Sequence, residues 1–395
     1  MTTNRGSITK RNGSWGYSFA YTDDHGRRRW ARKSDKRWKQ KDAQQAMTEL
    51  LAKVDAGHAL GTAKGTLGDF LREWVITYEK SGIPKASTVA NRQNNINHYL
   101  IPFLGDLKLS ELTPARIQRF YSELLTSGSH KNKGEPLSPK TVNHVAGTLQ
   151  RALNDAVDLE IIMRNPCEKA RPPKVTRPEM QIWDDDQIAR FITYCTEINE
   201  PLLALYRLAL LHGLRRGELL GLRWSDVDLL GHSISISQSR IMVNNASLIE
   251  TPKTNAGRRS LAIDSGTIDA LARLKDAHEA TAGLLGVSEF TLVSTMPDGK
   301  PVNVAGFSKR FQRVSKFAGL PVIRLHDARH TSATKMLSDG IPVQVVSARL
   351  GHNKTSVTLD VYAHALPKAD RNTADLIGNS IDEAIRRSVL TSKND

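Results

Sequence analysis

The spacing of apolar residues divides the chain into regions of different period. Near the N-terminus Trp15, Tyr17, Phe19 and Tyr21 alternate with small or polar residues, which places four aromatics on one face of a strand. Asp23-Asp24-His25-Gly26 predicts a turn, with a second strand following through Trp30. From about Lys41 to Asp55 the period becomes helical, with Ala43, Met47, Leu50, Leu51 and Val54 on one stripe and Gly57 as the stop. The aromatic face is expected to be core against this helix. A second block begins at Thr66, where Thr66 and Asp69 form a capping-box pattern ahead of the stripe Leu67, Phe70, Leu71, Trp74, Val75 and Tyr78. Thr113-Pro114 and Ser138-Pro139 each place a cap before a proline suited to the first helical turn. The stripes that follow are Ile117, Phe120, Tyr121, Leu124, Leu125 and then Val142, Val145, Leu149, Leu153. A fourth helix is expected around Val89 to Leu100.

Residues 163–181 carry four prolines, several basic side chains and no apolar period, which reads as a linker. Beyond it a buried helix is expected over Pro201 to Leu211, leading into Leu214 to Leu222. Strands are expected at Ser233 to Ile241, Ser247 to Glu250 and Arg259 to Ile263, and then more helices. An amphipathic tail helix runs from about Asp370 to Arg387. The expected fold is therefore multidomain. It has a small α+β module (a short sheet plus a helix) over 1–62 and an all-α, four-helix domain over 66–165. After a linker at 166–181, a mixed, mainly α domain with a small antiparallel sheet occupies 182–395.

Composition narrows the function. Over 395 residues, 56 Lys and Arg against 41 Asp and Glu give a net charge of +15, which points to a polyanionic partner. Residues 1–41 alone hold 12 basic and 3 acidic side chains, a net +9 that suits phosphate binding. Lys10, Arg11, Arg27, Arg28, Arg29, Arg32 and Lys33 are the candidate DNA-contacting residues. A membrane partner is not expected. The apolar run from Pro201 to Leu211 is far shorter than the roughly 20 residues a spanning helix needs. The N-terminus lacks the apolar stretch of a secretory signal. Two cysteines, Cys167 and Cys195, make neither a disulfide framework nor a metal knuckle, so a cytoplasmic, nucleoid-associated protein is expected.

Four short segments of the last region carry residues capable of chemistry: 212–218 (HGLRRGE), 251–257 (TPKTNAG), 325–331 (LHDARHT), and 350–352 (LGH) with Tyr362 ten residues on. Each has a plain structural explanation when taken singly. Arg215 and Glu218 suit a helix ion pair, Lys253 a solvated turn, His352 a helix cap, and Tyr362 a core position. In this order and combination they resemble the tyrosine recombinase family, whose signature is Arg, Lys, His-x-x-Arg, His or Trp, and Tyr. The resemblance spans roughly residues 180 to 375 and includes the flanking Leu222-Arg223-Trp224-Ser225-Asp226. His212 stands where the family often has threonine, and Ala328 where leucine is common.

The resemblance implies a site-specific recombinase of the integrase type. It would have an N-terminal arm-type DNA-binding module and a helical core-binding domain, and Arg215, Lys253, His326, Arg329, His352 and Tyr362 would be catalytic. It implies double-stranded attachment sites of core and arm type, a homotetramer on DNA, and a Holliday junction. It also implies a host DNA-bending protein and an excision factor, a tail that docks on a neighbouring protomer, and no cofactor. Chemistry agrees with these assignments. Metal-free cleavage of a phosphodiester needs a nucleophile, cationic cover for the phosphorane and an acid for the leaving oxygen. Arginine suits the cover because its fork matches two non-bridging oxygens and it stays charged. Arg215 and Arg329 fill that role, with His352 as a third donor. Tyr362 is the nucleophile, Lys253 the acid, and His326 by resemblance the base or phosphate-orienting group. Glu218 and His330 support the site, Glu218 by anchoring an arginine. The rival readings are a zinc hydrolase built on His326 and His330, and a DNA-binding regulator without catalysis. A third is a type IB topoisomerase or telomere resolvase, which would share the chemistry.

Overall fold

In the computed structural model the described residues are 6–11, 13–22, 28–55, 65–132, 134–162, 164–176, 180–244, 246–251, 257–352, 354–362, 374–375 and 377–386. The chain divides into two compact units, Met1–Arg177 and Pro178–Asp395. The boundary falls inside the expected linker, but the first part of that linker is not free. Asn165 caps a short 3₁₀ turn, Pro166–Lys169, and Cys167 and Ala170 are buried in the helical core. Asn143 donates to the Pro173 carbonyl at 2.5 Å, and Gln118 pairs with the Arg171 backbone in both directions. Those polar side chains supply partners for a backbone that has no helix or strand of its own.

The first unit opens with an antiparallel sheet in which β2 (Ser14–Thr22) lies between β1 (Gly6–Arg11) and β3 (Arg28–Asp35). Helix α1 (Gln40–Asp55) covers one face. Tyr17, Phe19 and Met47 form the core between them, as the alternation of aromatics requires. Strand β1 was not expected, because Ile8 is its only large apolar residue. Gly16 is obligatory for the pairing: a Cβ there would lie 2.6 Å from the Lys33 carbonyl oxygen.

The helical part of this unit follows the caps read from the sequence. In α2 (Leu67–Lys80) the Thr66–Asp69 capping box is complete. Thr113 caps α5 (Pro114–Ser127) and Ser138 caps α6 (Pro139–Asp158), each with proline in the first turn. The fourth helix is α3 (Ala86–Asn95), which continues through a π-helical turn, Ile96–Leu100, into the short α4 (Ile101–Leu104). Its stripe joins those of α2, α5 and α6 in one core that includes Leu71, Trp74, Phe120 and Leu149.

In the second unit α7 (Asp185–Glu197) and α8 (Leu203–His212) bring Phe191 and Tyr206 against Trp183, Phe307 and Phe311, ring centroids 5.1–5.6 Å apart. After α9 (Arg216–Gly221) come β4 (Val227–Asp228), β5 (Ser233–Ile236), β6 (Ser239–Val243), β7 (Ala246–Glu250) and β8 (Arg259–Ala262). Helices α10 (Ser265–Leu285), α11 (Val304–Phe317), α12 (Leu325–Ser338), α13 (Val343–Leu350) and α14 (Thr355–Tyr362) complete it. Of the expected tail helix, residues 377–386 are helical and exposed. Among the described residues no helix is long and apolar enough to cross a membrane.

One strand differs from expectation. Ser233 to Ile241 reads as continuous, but it breaks after Ile236, so that β5 pairs with β8 and β4 while β6 pairs with β7 in a separate ribbon. The break follows from the approach of β6 to α9. A Cβ on Gly221 would lie 2.9 Å from the Arg240 nitrogen, and Gln238 donates to the Gly221 carbonyl at 2.6 Å. Gly221→Ala is therefore expected to destabilise the protein by about 1–3 kcal/mol, measured by urea unfolding. Gly147→Ala on α6, where a Cβ meets nothing within 4 Å, should be neutral or stabilising. Equal effects at the two positions would contradict this account of the strand break.

Candidate active site

Helices leave their last carbonyls without intrahelical partners. Helix α13 ends in a left-handed Gly351 (φ 64°), with the Gly351 N–H donating to Ala348 and the His352 N–H to Ser347, both at 3.0 Å. The next three carbonyls are each taken by a different arginine. Arg259 Nε donates to the Arg349 oxygen at 2.6 Å, Arg329 Nη2 to the Leu350 oxygen at 2.6 Å, and Arg215 Nη2 to the Gly351 oxygen at 2.7 Å. The negative end of the helix dipole favours cations here by about 0.3–1 kcal/mol each, more when partly buried.

Two further contacts fix the cluster. Arg329 Nη1 donates to the carbonyl of Gly213 at 2.5 Å, so this guanidinium bridges the C-termini of α8 and α13. Gly213 is left-handed (φ 66°), and a Cβ there would lie 2.5 Å from Leu350 Cδ2, so glycine is needed both for the turn and for the approach of α13. Glu218 is the counter-ion. Its carboxylate accepts from Arg259 Nη1 and Nη2 at 3.2 and 3.0 Å, from Arg215 Nη1 at 2.7 Å, and from the Arg215 backbone N–H at 2.9 Å. Burial alone would raise its pKa, but the hydrogen bonds and charges of Arg259 and Arg215 outweigh it and hold the carboxyl below the usual range.

Among the described residues three guanidiniums meet one carboxylate, which leaves two positive charges unbalanced. Burial, reinforced by the Arg215 charge, lowers the pKa of Arg329 to about 9, so it is still charged at neutral pH. Arg259 has only 8 % of its side chain exposed, whereas Arg215 has 40 % and reaches the surface of the cluster. An electropositive group of fixed donors with one open side is built to receive an anion.

His352 follows the same helix end. Its Nδ1 lies 2.8 Å from the hydroxyl of Thr358, a fully buried residue of α14. Burial and the Arg329, Arg215 and Arg259 charges depress its pKa to about 4, so the ring is neutral near pH 7. His326 lies in the first turn of α12 and packs edge-on against His330, centroids 4.8 Å apart. Protein around the ring, with the His330 and Arg329 charges, lowers its pKa below the ordinary histidine value. Asp327, which stands where a zinc hydrolase would carry its general-base glutamate, completes the capping box of α12 and accepts from Arg324 at 2.7–2.9 Å. Among the described residues no three His, Cys, Asp or Glu side chains form a metal-binding group. The backbone of Tyr362 ends α14, while its side chain lies outside the described residues. Lys253 also lies outside them, in the segment between β7 and β8.

The structure thus gathers Arg215, Glu218, Arg329 and His352 and adds Arg259, which the sequence reading missed. Arg258-Arg259 there is simply basic, and only burial distinguishes Arg259. The four described basic side chains proposed for DNA contact in the N-terminal module divide between the two faces of the sheet. Arg11 and Arg32 lie on the sheet face away from α1, by their register with Ser14 and Ser18, whereas Lys10 and Lys33 register with Trp15 and Tyr17 on the α1 side. All four are exposed, and Arg32 stacks over the exposed Trp30 at 5.3 Å. The structure describes only the backbone of Arg28 and Arg29, and Arg27 lies outside it.

Residues 181–369 match the phage integrase family, and residues 66–125 match the phage integrase N-terminal SAM-like domain. The chain belongs to the phage integrase family of tyrosine recombinases. It is 29 % identical to the ICEBs1 integrase of Bacillus subtilis, covering 74 % of this chain and 77 % of that one. Its fold is similar to that of the Tn1549 transposon integrase solved with transposon right end DNA. That match has a TM-score of 0.65 and 20 % identity, and covers 79 % of this chain and 99 % of that one. It is also similar to the lambda integrase tetramer bound to a Holliday junction, with a TM-score of 0.54 and 17 % identity, covering 91 % and 94 %.

Neutralising Glu218 should expose the repulsion it offsets. Glu218→Gln is expected to lose about 3 kcal/mol of stability at pH 7, as for a buried pair deprived of one partner. Because the folded-state pKa is depressed, this contribution is complete above the ordinary carboxylate pKa of about 4.3 and disappears as pH falls through the folded value. Urea unfolding at pH 7 and at lower pH should therefore show the two proteins converging in acid. Equal stability at pH 7 would refute the counter-ion role.

Proposed function

We propose that this recombinase integrates and excises a mobile element or prophage by cleaving and rejoining DNA through Tyr362, without a metal. The observation that carries the reading is the arginine cluster on the carbonyls of residues 349–351, next to His352 and to the helix that ends in Tyr362. A scissile phosphate placed there would meet Arg215 and Arg329 over its non-bridging oxygens, with His352 as a neutral donor. The Thr358 hydroxyl, 2.8 Å from Nδ1, can donate to it; in this reading it does, and the ring proton on Nε2 would face the phosphate. The Tyr362 oxygen bonds to phosphorus as the bond to the 5′ oxygen breaks. The phenol, with an ordinary pKa of about 10, passes its proton toward His326 during attack, and Lys253 supplies one to the departing 5′ oxygen.

The 3′-phosphotyrosyl bond retains the energy of the broken one, so a 5′ hydroxyl from a second duplex can reverse the step without ATP. Strand exchange through a Holliday junction follows, carried out by four protomers on core-type sites. The N-terminal module, with Arg11, Arg32 and the exposed Trp30 on its open face, would hold arm-type sites. A host DNA-bending protein and an excision factor would set direction. Ile377, Ile381 and Ile385, four residues apart on the tail helix, are each more than half exposed, which favours docking on a neighbouring protomer.

The test is a nicked suicide duplex, drawn from DNA flanking the gene and incubated in EDTA. Wild type should form an SDS-resistant covalent adduct and Tyr362→Phe none. Arg215→Lys and Arg329→Lys should each slow adduct formation about a hundredfold or more. DNA binding without an adduct, across all flanking sites, would favour the non-catalytic regulator instead.

A further inference from the structure

His212 ends α8 and is buried, and none of the chemistry above uses it. Its two ring nitrogens have different partners. Nε2 lies 2.9 Å from Asp264 Oδ2, and Nδ1 lies 3.2 Å from Arg349 Nη2. A guanidinium only donates, so Nδ1 must be the acceptor and the ring proton sits on Nε2, facing the carboxylate. Asp264 is itself fixed as the N-cap of α10, accepting from the Thr267 N–H and from Arg207 Nη2, both at 2.9 Å. Burial lowers the ring's pKa, Asp264 partly restores it, and the Arg349 and Arg207 charges lower it again. Geometry and electrostatics therefore both favour the neutral ring.

Arg349 links this ring to the active site. Its side chain donates to His212 and to the Ala262 carbonyl at 3.1 Å, while its own carbonyl accepts from Arg259 Nε. Arg259 in turn holds Glu218, and Glu218 holds Arg215. Threonine, the residue often found here in related recombinases, has one hydroxyl on a shorter side chain and cannot span both Asp264 and Arg349.

We propose that His212 is a positioning residue of the recombination reaction: by accepting from Arg349 it fixes the residue whose carbonyl holds Arg259, and through Glu218 it sets the pose of Arg215. The proposal rests on the recombinase reading above.

The experiment uses the full chain and the nicked duplex. It measures the single-turnover rate of adduct formation at saturating protein and, separately, the affinity for DNA. His212→Asn keeps an amide oxygen near the Nδ1 position and so the Arg349 contact. His212→Gln carries an amide nitrogen toward the Nε2 position and so keeps the Asp264 contact only. His212→Ala and His212→Gln are expected to cleave roughly tenfold slower or worse, with His212→Asn recovering most of the rate and DNA affinity nearly unchanged in all three. Should His212→Ala fail to fold by thermal melting, the comparison of Asn with Gln decides alone. Cleavage by His212→Ala near the wild-type rate would overturn the proposal. Recovery by Gln equal to or better than that by Asn would also overturn it, since the ring would then serve only to hold Asp264, the cap of α10. A wild type that forms no adduct would sink the recombinase reading itself, before His212 is at issue.

Discussion

At the end of helix α13 three consecutive backbone carbonyls, of Arg349, Leu350 and Gly351, are each held by a different guanidinium. Arginines repel one another, and taking them partly out of water costs more. They gather here because a helix C-terminus presents unpaired acceptors and a partial negative charge in a fixed array. Much of the surrounding structure serves this array. Gly351 turns the chain so that the carbonyls point outward, and Gly213 makes room for Leu350. Among the described residues Glu218 supplies the one full negative charge, in contact with two of the arginines.

In the proposed reaction the electrostatic imbalance has a use. A cluster fully neutralised by carboxylates would be more stable and would have no use for a phosphate. With two positive charges unbalanced among the described residues, the site can gain energy from an anion, and in the proposed attack most from the doubly charged phosphorane. Because the donors are anchored to backbone, they need not reorganise as that charge develops. His352 fits the same logic: burial and the arginine charges keep it neutral, so it can add a hydrogen bond without adding repulsion.

How much of this was legible in the sequence depended on whether the information was local. The caps of α2, α5 and α6 could be read because Thr66, Thr113 and Ser138 act within their own first turn. The aromatic face of β2 could be read because strand alternation is local too. Arg215, Glu218, Arg329 and His352 were found as separate motifs whose order matched a family, and the fold brings them together across more than a hundred residues of chain. Arg259 was missed because nothing near it in sequence separates a buried arginine from a solvated one. The break between β5 and β6 was missed because its cause, the approach to Gly221, lies on another element. Strand β1 has a single large apolar residue and is specified mostly by its neighbour. His212 was visible only as a departure from a family habit, and its partners came from α10 and α13.

The most direct test of the account is to remove the turn that presents the carbonyls while leaving every arginine in place. Gly351→Ala puts a Cβ on a left-handed residue, a strain of roughly 1–2 kcal/mol that favours rewinding the helix end. Single-turnover adduct formation should then fall about a hundredfold, with DNA affinity and helical content nearly those of wild type. A rate close to wild type, with the substitution confirmed and the protein folded, would contradict the claim that this helix end assembles the catalytic cations.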